Sequence, residues 1–339
     1  MIRLYRLACG LLAALAAAPP AAAQAPPAVP HLVGTMVAPD GNWDYASVDP
    51  SARRLYVARG DGVLLVDLAA ARIVPRWVPG QGVHAVLPLP EGRVLTTNGR
   101  SRTAALFDAG SGRPLGHVAA GQMPDGAAFD PASGRAVVVD RAGGQVFLVD
   151  PLGAHAPIRL AVGGTLEFAV ADGRGRVFVN VEDRNEIAVI DVVGHRVVAT
   201  RWALPGCEEP SGLAHDPVRG LLLSVCGNRT AVALDATTGR VIATPAIGAG
   251  ADAAIFDPVS RRVFVPNGDD GTLSVIAVPA VGPIETVASV ATAVGARTGA
   301  LDPTDGLLYL PVATARPGAT GFDPPTIPGS FRLLVLATR

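Results

Sequence analysis

The chain lacks any Lys/Arg run, carries a formal net charge of only −1 and is 5% aromatic. Without a basic patch, nucleic acid is excluded as the main partner. Beyond the first two dozen residues no continuous apolar stretch reaches bilayer-spanning length, so no later membrane anchor is expected. No segment longer than a turn or two shows helical periodicity. Also missing are Cys-x-x-Cys-His, a P-loop, His-Glu-x-x-His and Gly-x-Ser-x-Gly. Those absences argue against covalent haem, P-loop nucleotide chemistry, zincin proteolysis and an α/β-hydrolase nucleophile elbow. Ser211 has no histidine partner in its own segment, which weakens a serine-hydrolase reading.

The first residues form their own pattern. Arg3 and Arg6 precede an apolar run of 12 residues, Leu7 to Ala18, and Ala21-Ala22-Ala23 stands before Gln24. A basic start, a short apolar run and small residues at its end predict a secretory signal peptide over 1–23, cleaved near Ala23. A retained anchor is the alternative, disfavoured by the length of the run. A flexible segment over 24–30 and a single domain over 31–339 are expected to follow. The product would be periplasmic or secreted, and a monomer. Cys9 falls inside the apolar run, which leaves Cys207 and Cys226 in the mature chain. In an oxidising compartment this pair predicts one disulfide, two free buried thiols being the alternative.

What the chain does have is a repeat. Val48-Asp49-Pro50, Leu89-Pro90, Phe129-Asp130-Pro131, Ala171-Asp172-Gly173, His215-Asp216-Pro217, Phe256-Asp257-Pro258 and Leu301-Asp302-Pro303 mark seven copies, with steps of 41, 40, 42, 44, 41 and 45 residues. Each copy holds four short β-prone runs divided by Gly, Pro and Asp; in the third they start near Gly126, Ala136, Gln145 and Ile158. A third strand typically closes on aspartate: Asp67, Asp108, Asp150, Asp191, Asp235. A period near forty with four strands per copy predicts an all-β, seven-bladed β-propeller with four-stranded blades. The last copy stops at its third strand, while an orphan strand, Leu32 to Val37, precedes the first anchor. The N-terminal strand should therefore complete the last blade, closing the ring and removing open edges.

Five residues before Asp49, Leu89, Asp130, Asp172, Asp216, Asp257 and Asp302 stand Asp44, His84, Asp125, Glu167, Ser211, Asp252 and Arg297. All are polar, and each enters an innermost strand, so they should ring the mouth of the central channel. Glu209 adds charge beside Ser211, while Asn98, Asp140, Asn180 and Asn267 belong to loops on the same face. Like charges at one mouth repel unless compensated; Arg297 would neutralise one, and a cation more. Oxygen-rich donors suit Ca²⁺, Mg²⁺ or Mn²⁺, and one imidazole shifts the choice towards Mn²⁺ or Zn²⁺. A merely solvated polar rim is the competing reading. Trp43 and Tyr45 flank Asp44, either to stack on a ligand or to pack between blades. The loop from Pro311 to Ser330 belongs to the same face and is expected to lean over the mouth.

Arg54-Leu55-Tyr56-Val57-Ala58 and Arg176-Val177-Phe178-Val179-Asn180 resemble the YVTN repeat, and the chain resembles the YncE-like family of exported bacterial seven-bladed propellers. Trp43-Asp44-Tyr45, Pro124-Asp125, Glu209-Pro210-Ser211-Gly212-Leu213 and Gly295-Ala296-Arg297-Thr298 carry the same likeness. It implies the fold and export but little of the function. Three functions remain open. One is a binding or scaffold propeller holding a small molecule, metal or protein segment at the ring. Another is a metal-assisted hydrolase or lyase, with His84 as base and Arg297 stabilising negative charge. The third is a protein-interaction propeller acting through its rim loops.

Overall fold

The computed structural model describes residues 29–319 and 324–339. The expected signal peptide and the segment 24–28 lie outside the described residues. Within them, short runs of Val, Leu, Ile and Phe form antiparallel strands, and Gly, Pro and Asp end them. The strands assemble into seven sheets arranged as a β-propeller, six of them built on four or five consecutive strands and the seventh on the first strand and the last three. The third blade, for example, comprises Pro124–Asp130, Arg135–Asp140, Gln145–Val149 and Ile158–Ala161. In the fourth blade the outer strand is interrupted: Arg196–Val197 and Trp202–Ala203 each pair with Glu186–Asp191. The only helical element among the described residues is a 3₁₀ turn, Glu182–Arg184. No helix there is long and apolar enough to cross a membrane.

Closure occurs as the strand pattern requires. His31–Val37 pairs antiparallel with Arg332–Ala337, and the sheet continues through Leu307–Val312 to Ala300–Asp302. A blade is two-sided, so its middle strands are apolar at successive positions instead of alternating. Arg262–Asn267 is buried along its whole length. The core accordingly lies between blades: Val137, Val139 and Leu148 of the third pack with Val177, Val179 and Ala188 of the fourth.

The repeated aspartates have local work. At the ends of third strands their carboxylates accept backbone N–H groups of the following turn. Asp235 takes those of Thr237 and Thr238, and Asp191 that of Gly194. Such side-chain bonds offer the chain a turn in place of a longer ladder. The anchor aspartates do this and also reach across to the next blade. Asp130 accepts the Gly175 N–H, Asp216 the Arg261 guanidinium, and Asp302 that of Arg53. The last of these joins the seventh blade to the first.

Cys207 and Cys226 form the expected disulfide, with Cα atoms 5.4 Å apart. It ties the segment entering the fifth blade's inner strand to the end of its second strand.

The Arg53–Asp302 contact buries Asp302 completely and leaves Arg53 partly exposed, with Asp305 as a second partner. Removing Arg53 strands a buried carboxylate. Arg53→Ala is expected to lower the unfolding free energy by about 2 kcal/mol. Arg72→Ala, at an exposed strand position, should change it by less than about 0.5 kcal/mol. Urea denaturation of the two variants checks both.

Candidate functional site

Each inner strand begins near the channel axis, so residues one repeat apart in sequence become neighbours. His84 Nδ1 lies 2.7 Å from Asp44 Oδ2 and 3.8 Å from Asp125 Oδ1. One donor atom from each of Asp44, His84 and Asp125 lies within 4.8 Å of the others. Backbone bonds fix the approach: the Tyr45 N–H donates to the His84 carbonyl, and the Thr298 hydroxyl to that of Asp44.

The other ring positions divide into two groups. Glu167 accepts a hydrogen bond from Arg141, whose guanidinium also reaches Glu182 and stands 3.9 Å from Asp125. Asp252 lies 3.4 Å from Arg297 Nε. The Arg297 guanidinium also donates to the Trp43 carbonyl and sits over the Trp43 ring. It is only 8% exposed and braces three successive inner-strand entrances. Ser211 donates its hydroxyl to the Ala251 carbonyl of the next blade. Glu209 is held through its backbone N–H by Asn185.

All nine ring and neighbouring positions expected from sequence, Asp44, Tyr45, His84, Asp125, Glu167, Glu209, Ser211, Asp252 and Arg297, line one cavity of about 850 Å³. The long loop of the last unit closes part of it, contributing Ala313, Ala315, Ala319, Pro324 and Thr326. That loop is braced by a bridge between Ala315 and Thr326, and Asp40 accepts the Gly329 N–H.

Asn98, Asp140, Asn180 and Asn267 share the face but serve the framework. All four are buried. Asn180 donates to the Ser211 and Gly212 carbonyls, and Asp140 accepts the Gln122 and Met123 N–H groups. Arg141 and Glu182, which do reach the cavity, escaped the sequence reading. They lie one residue after Asp140 and two after Asn180, at the ends of second strands, so the same loop assignment carried the signal slightly further on. Trp43 packs between the first and last blades, whereas the Tyr45 ring reaches the inner strand of the fourth. Their rings meet Phe331 and Phe168 at 5.8 and 4.9 Å, and both are nearly fully buried.

Burial dominates the electrostatics. It raises the carboxyl of Asp252 to about 6 against the opposing pull of Arg297. Burial and then neighbouring carboxylates push Asp125 and Glu167 upward too, with His84 and Arg141 opposing the rise at Asp125 and Arg141 that at Glu167. The Tyr45 hydroxyl is driven well up by burial, and then by Asp252, Glu167, Asp125 and Asp44. Four carboxylates thus act on one buried phenol at the axis. Such crowding favours a proton or a cation among them.

No known protein family and no curated relative matches the sequence. Solved structures do match in shape. A chain of a mitotic checkpoint complex superposes with a TM-score of 0.73 at 15% identity, covering 98% of each chain. A chain of Kuenenia stuttgartiensis hydrazine synthase gives 0.67 at 14% identity, covering 83% of this chain and 95% of that one. At such identities the likeness concerns the propeller fold alone.

The raised carboxyls set a pH dependence for the protein stripped of cations. A carboxyl raised on folding favours the folded state fully below its unfolded pKa and loses that contribution as pH climbs through the folded value. For Asp252 the window runs from the ordinary carboxylate range to about 6; for Asp125 and Glu167 it extends upward in the same direction. In chelator, the melting temperature should therefore fall between pH 5 and pH 8, with a shallower fall in Asp252→Asn. Thermal melts across that range measure it; a melting temperature rising with pH would contradict the assignment.

Proposed function

We propose that this chain is an exported binding propeller that holds a divalent cation at Asp44, His84 and Asp125, with an organic ligand completing the site from the cavity. The observation that carries the reading is the convergence of two carboxylates and one imidazole within 4.8 Å. Hard oxygen donors with a single imidazole suit Mn²⁺ or Zn²⁺ better than Ca²⁺ or Mg²⁺. Three protein donors leave coordination positions for water or a ligand. A bound cation would supply positive charge where burial and like charge otherwise favour protonated carboxyls.

The surroundings support this assignment. The chain contains no lysine, so Arg141 and Arg297 carry the permanent positive charge lining the large cavity, against seven carboxylates. Each guanidinium engages a neighbouring carboxylate, Glu167 or Asp252. Asp44 faces His84, and Asp125 stands between His84 and Arg141. Export is supported by the signal-like start of the sequence and by the disulfide, which persists in oxidising compartments. The YVTN-type repeat segments point the same way, towards YncE-like exported propellers.

Protein prepared without chelator is expected to hold close to one equivalent of metal per chain by elemental analysis. His84→Ala and Asp125→Asn should each lose most of it while retaining the β-sheet circular-dichroism spectrum. A cation at a hundredfold excess over its Kd adds about 2.7 kcal/mol of stability, visible as a raised melting temperature in wild type alone. Absence of metal, together with melting unchanged by Mn²⁺, Zn²⁺, Ca²⁺ or Mg²⁺, would remove the cation from the proposal.

A further inference from the structure

A second cavity, of about 540 Å³, adjoins His84 and Asp44. It shares Trp43, Asp44, His84 and Met123 with the large one. Its character is reversed. Arg100 and Arg102 line it, and Asp44 is its one carboxylate. Its glycines, Gly60, Gly82 and Gly99, leave room where side chains would stand. A Cβ on Gly99 would lie 2.7 Å from His84 Nε2, so the imidazole edge opposite Asp44 faces this cavity.

The two arginines differ from the others near the mouth. Arg141 and Arg297 are buried or half-buried and each pairs with a carboxylate. Arg100 and Arg102 are exposed, and neither forms an ion pair among the described residues. Arg102 also occupies an unfavourable place. The last residue of the turn between second and third strands has a positive φ in successive blades: 61° at Arg102, 60° at Gly144, 51° at Asn185, 65° at Arg229 and 62° at Gly271. Glycine and asparagine suit that conformation; a long side chain is strained there. Arg229 spends its side chain on a two-pronged bond to Asp270. Arg102 has no such partner among the described residues, and its side chain lines a cavity that includes Asp44 and His84 of the candidate cation site.

We propose that this basic cavity is an oxyanion subsite: a carboxylate or phosphate group of an organic ligand is held by Arg100 and Arg102 and completes the coordination of a cation at Asp44, His84 and Asp125. The inference rests on the cation reading above and specifies the ligand class. Guanidinium groups bind planar or tetrahedral oxyanions through charge-assisted hydrogen bonds. A divalent ion compensates Asp44 and Asp125, so an incoming anion meets positive charge from both the metal and the arginines. The large acidic cavity would then receive the uncharged or cationic remainder of the same molecule.

The test is calorimetric titration of the Mn²⁺-loaded full-length mature protein with oxalate and, separately, with inorganic phosphate. Wild type should bind at least one of them, the stronger probe telling a carboxylate from a phosphate ligand. Arg100→Ala/Arg102→Ala should weaken that binding at least about tenfold, with Mn²⁺ affinity changed less than about twofold. Gly60→Leu is the steric counterpart. Gly60 lacks the positive φ that would strain a side chain, and only Arg100 Nη2, at 3.8 Å, stands near a Cβ there. It should block the oxyanion and spare the metal. Binding of neither probe to Mn²⁺-loaded wild type, or equal binding in both variants, would overturn the subsite. Failure of Mn²⁺ to bind wild type defeats the cation reading separately. In that event, oxyanion binding to the metal-free protein that depends on Arg100 and Arg102 still upholds the basic cavity, and its absence overturns that as well.

Discussion

Seven inner strands must start close to one axis, and that constraint creates the site. Residues separated by a full repeat have no local reason to meet. Asp44 and His84 are 40 positions apart yet hydrogen-bonded, because each opens the inner strand of adjacent blades. The same geometry would bring any residues at that register together. The chemistry of the mouth is therefore decided by seven side chains that the fold leaves comparatively free to vary. Stability resides elsewhere, in the apolar layers between blades and in aspartates that bond their own turns and the next blade.

The crowding of carboxylates at the axis is managed by bracing. Arg141 links the third blade to two acids of the fourth, and Arg297 links the sixth, seventh and first. These are partly desolvated pairs, whose Coulomb gain is offset by the cost of burial, so they specify arrangement more than they add stability. Around them the loops are fixed at several points. The disulfide and Asn185 hold the segment carrying Glu209, and Asp40 holds the last-blade loop. A cavity with walls fixed from several blades is suited to recognition, because little ordering remains to oppose binding.

The fold was legible because a period near forty leaves a strong mark and because the strand counts at the two ends complement each other. Asp49, Asp130, Asp216 and their equivalents mark a turn that every blade must make. The ring was legible for the same reason, being a fixed offset from those anchors. Pairing within it was not. Period alone does not say that Asp44 turns to His84 while Asp252 turns to Arg297, since rotamers and burial choose the partner. Arg141 and Glu182 escaped attention because the end of the second strand offers alternating roles. Asp140 and Asn180 point into the framework, whereas Arg141, one residue on, and Glu182, two residues on, line the mouth. Trp43 and Tyr45 illustrate the converse difficulty. Both stand beside the ring in sequence, yet packing claims their rings, Trp43 against Phe331 of the last blade and Tyr45 against Phe168 of the fourth.

Similarity of shape at 14–15% identity carries no chemistry, since a propeller accepts almost any residue at its mouth. Function has to be argued from the distribution of charge. Here that distribution is polar across two adjoining cavities. Asp44 and His84 line both a cavity rich in carboxylates and one bordered by two arginines that form no ion pair among the described residues. A solvated rim has no need for such segregation; mixing the signs would lower the self-energy of both groups. It also has no need for an unpaired arginine in a left-handed turn where three sister blades place glycine or asparagine and a fourth an arginine bonded to Asp270. Both features suit one ligand that spans the two cavities, anionic at one end and positioned at its middle by a cation.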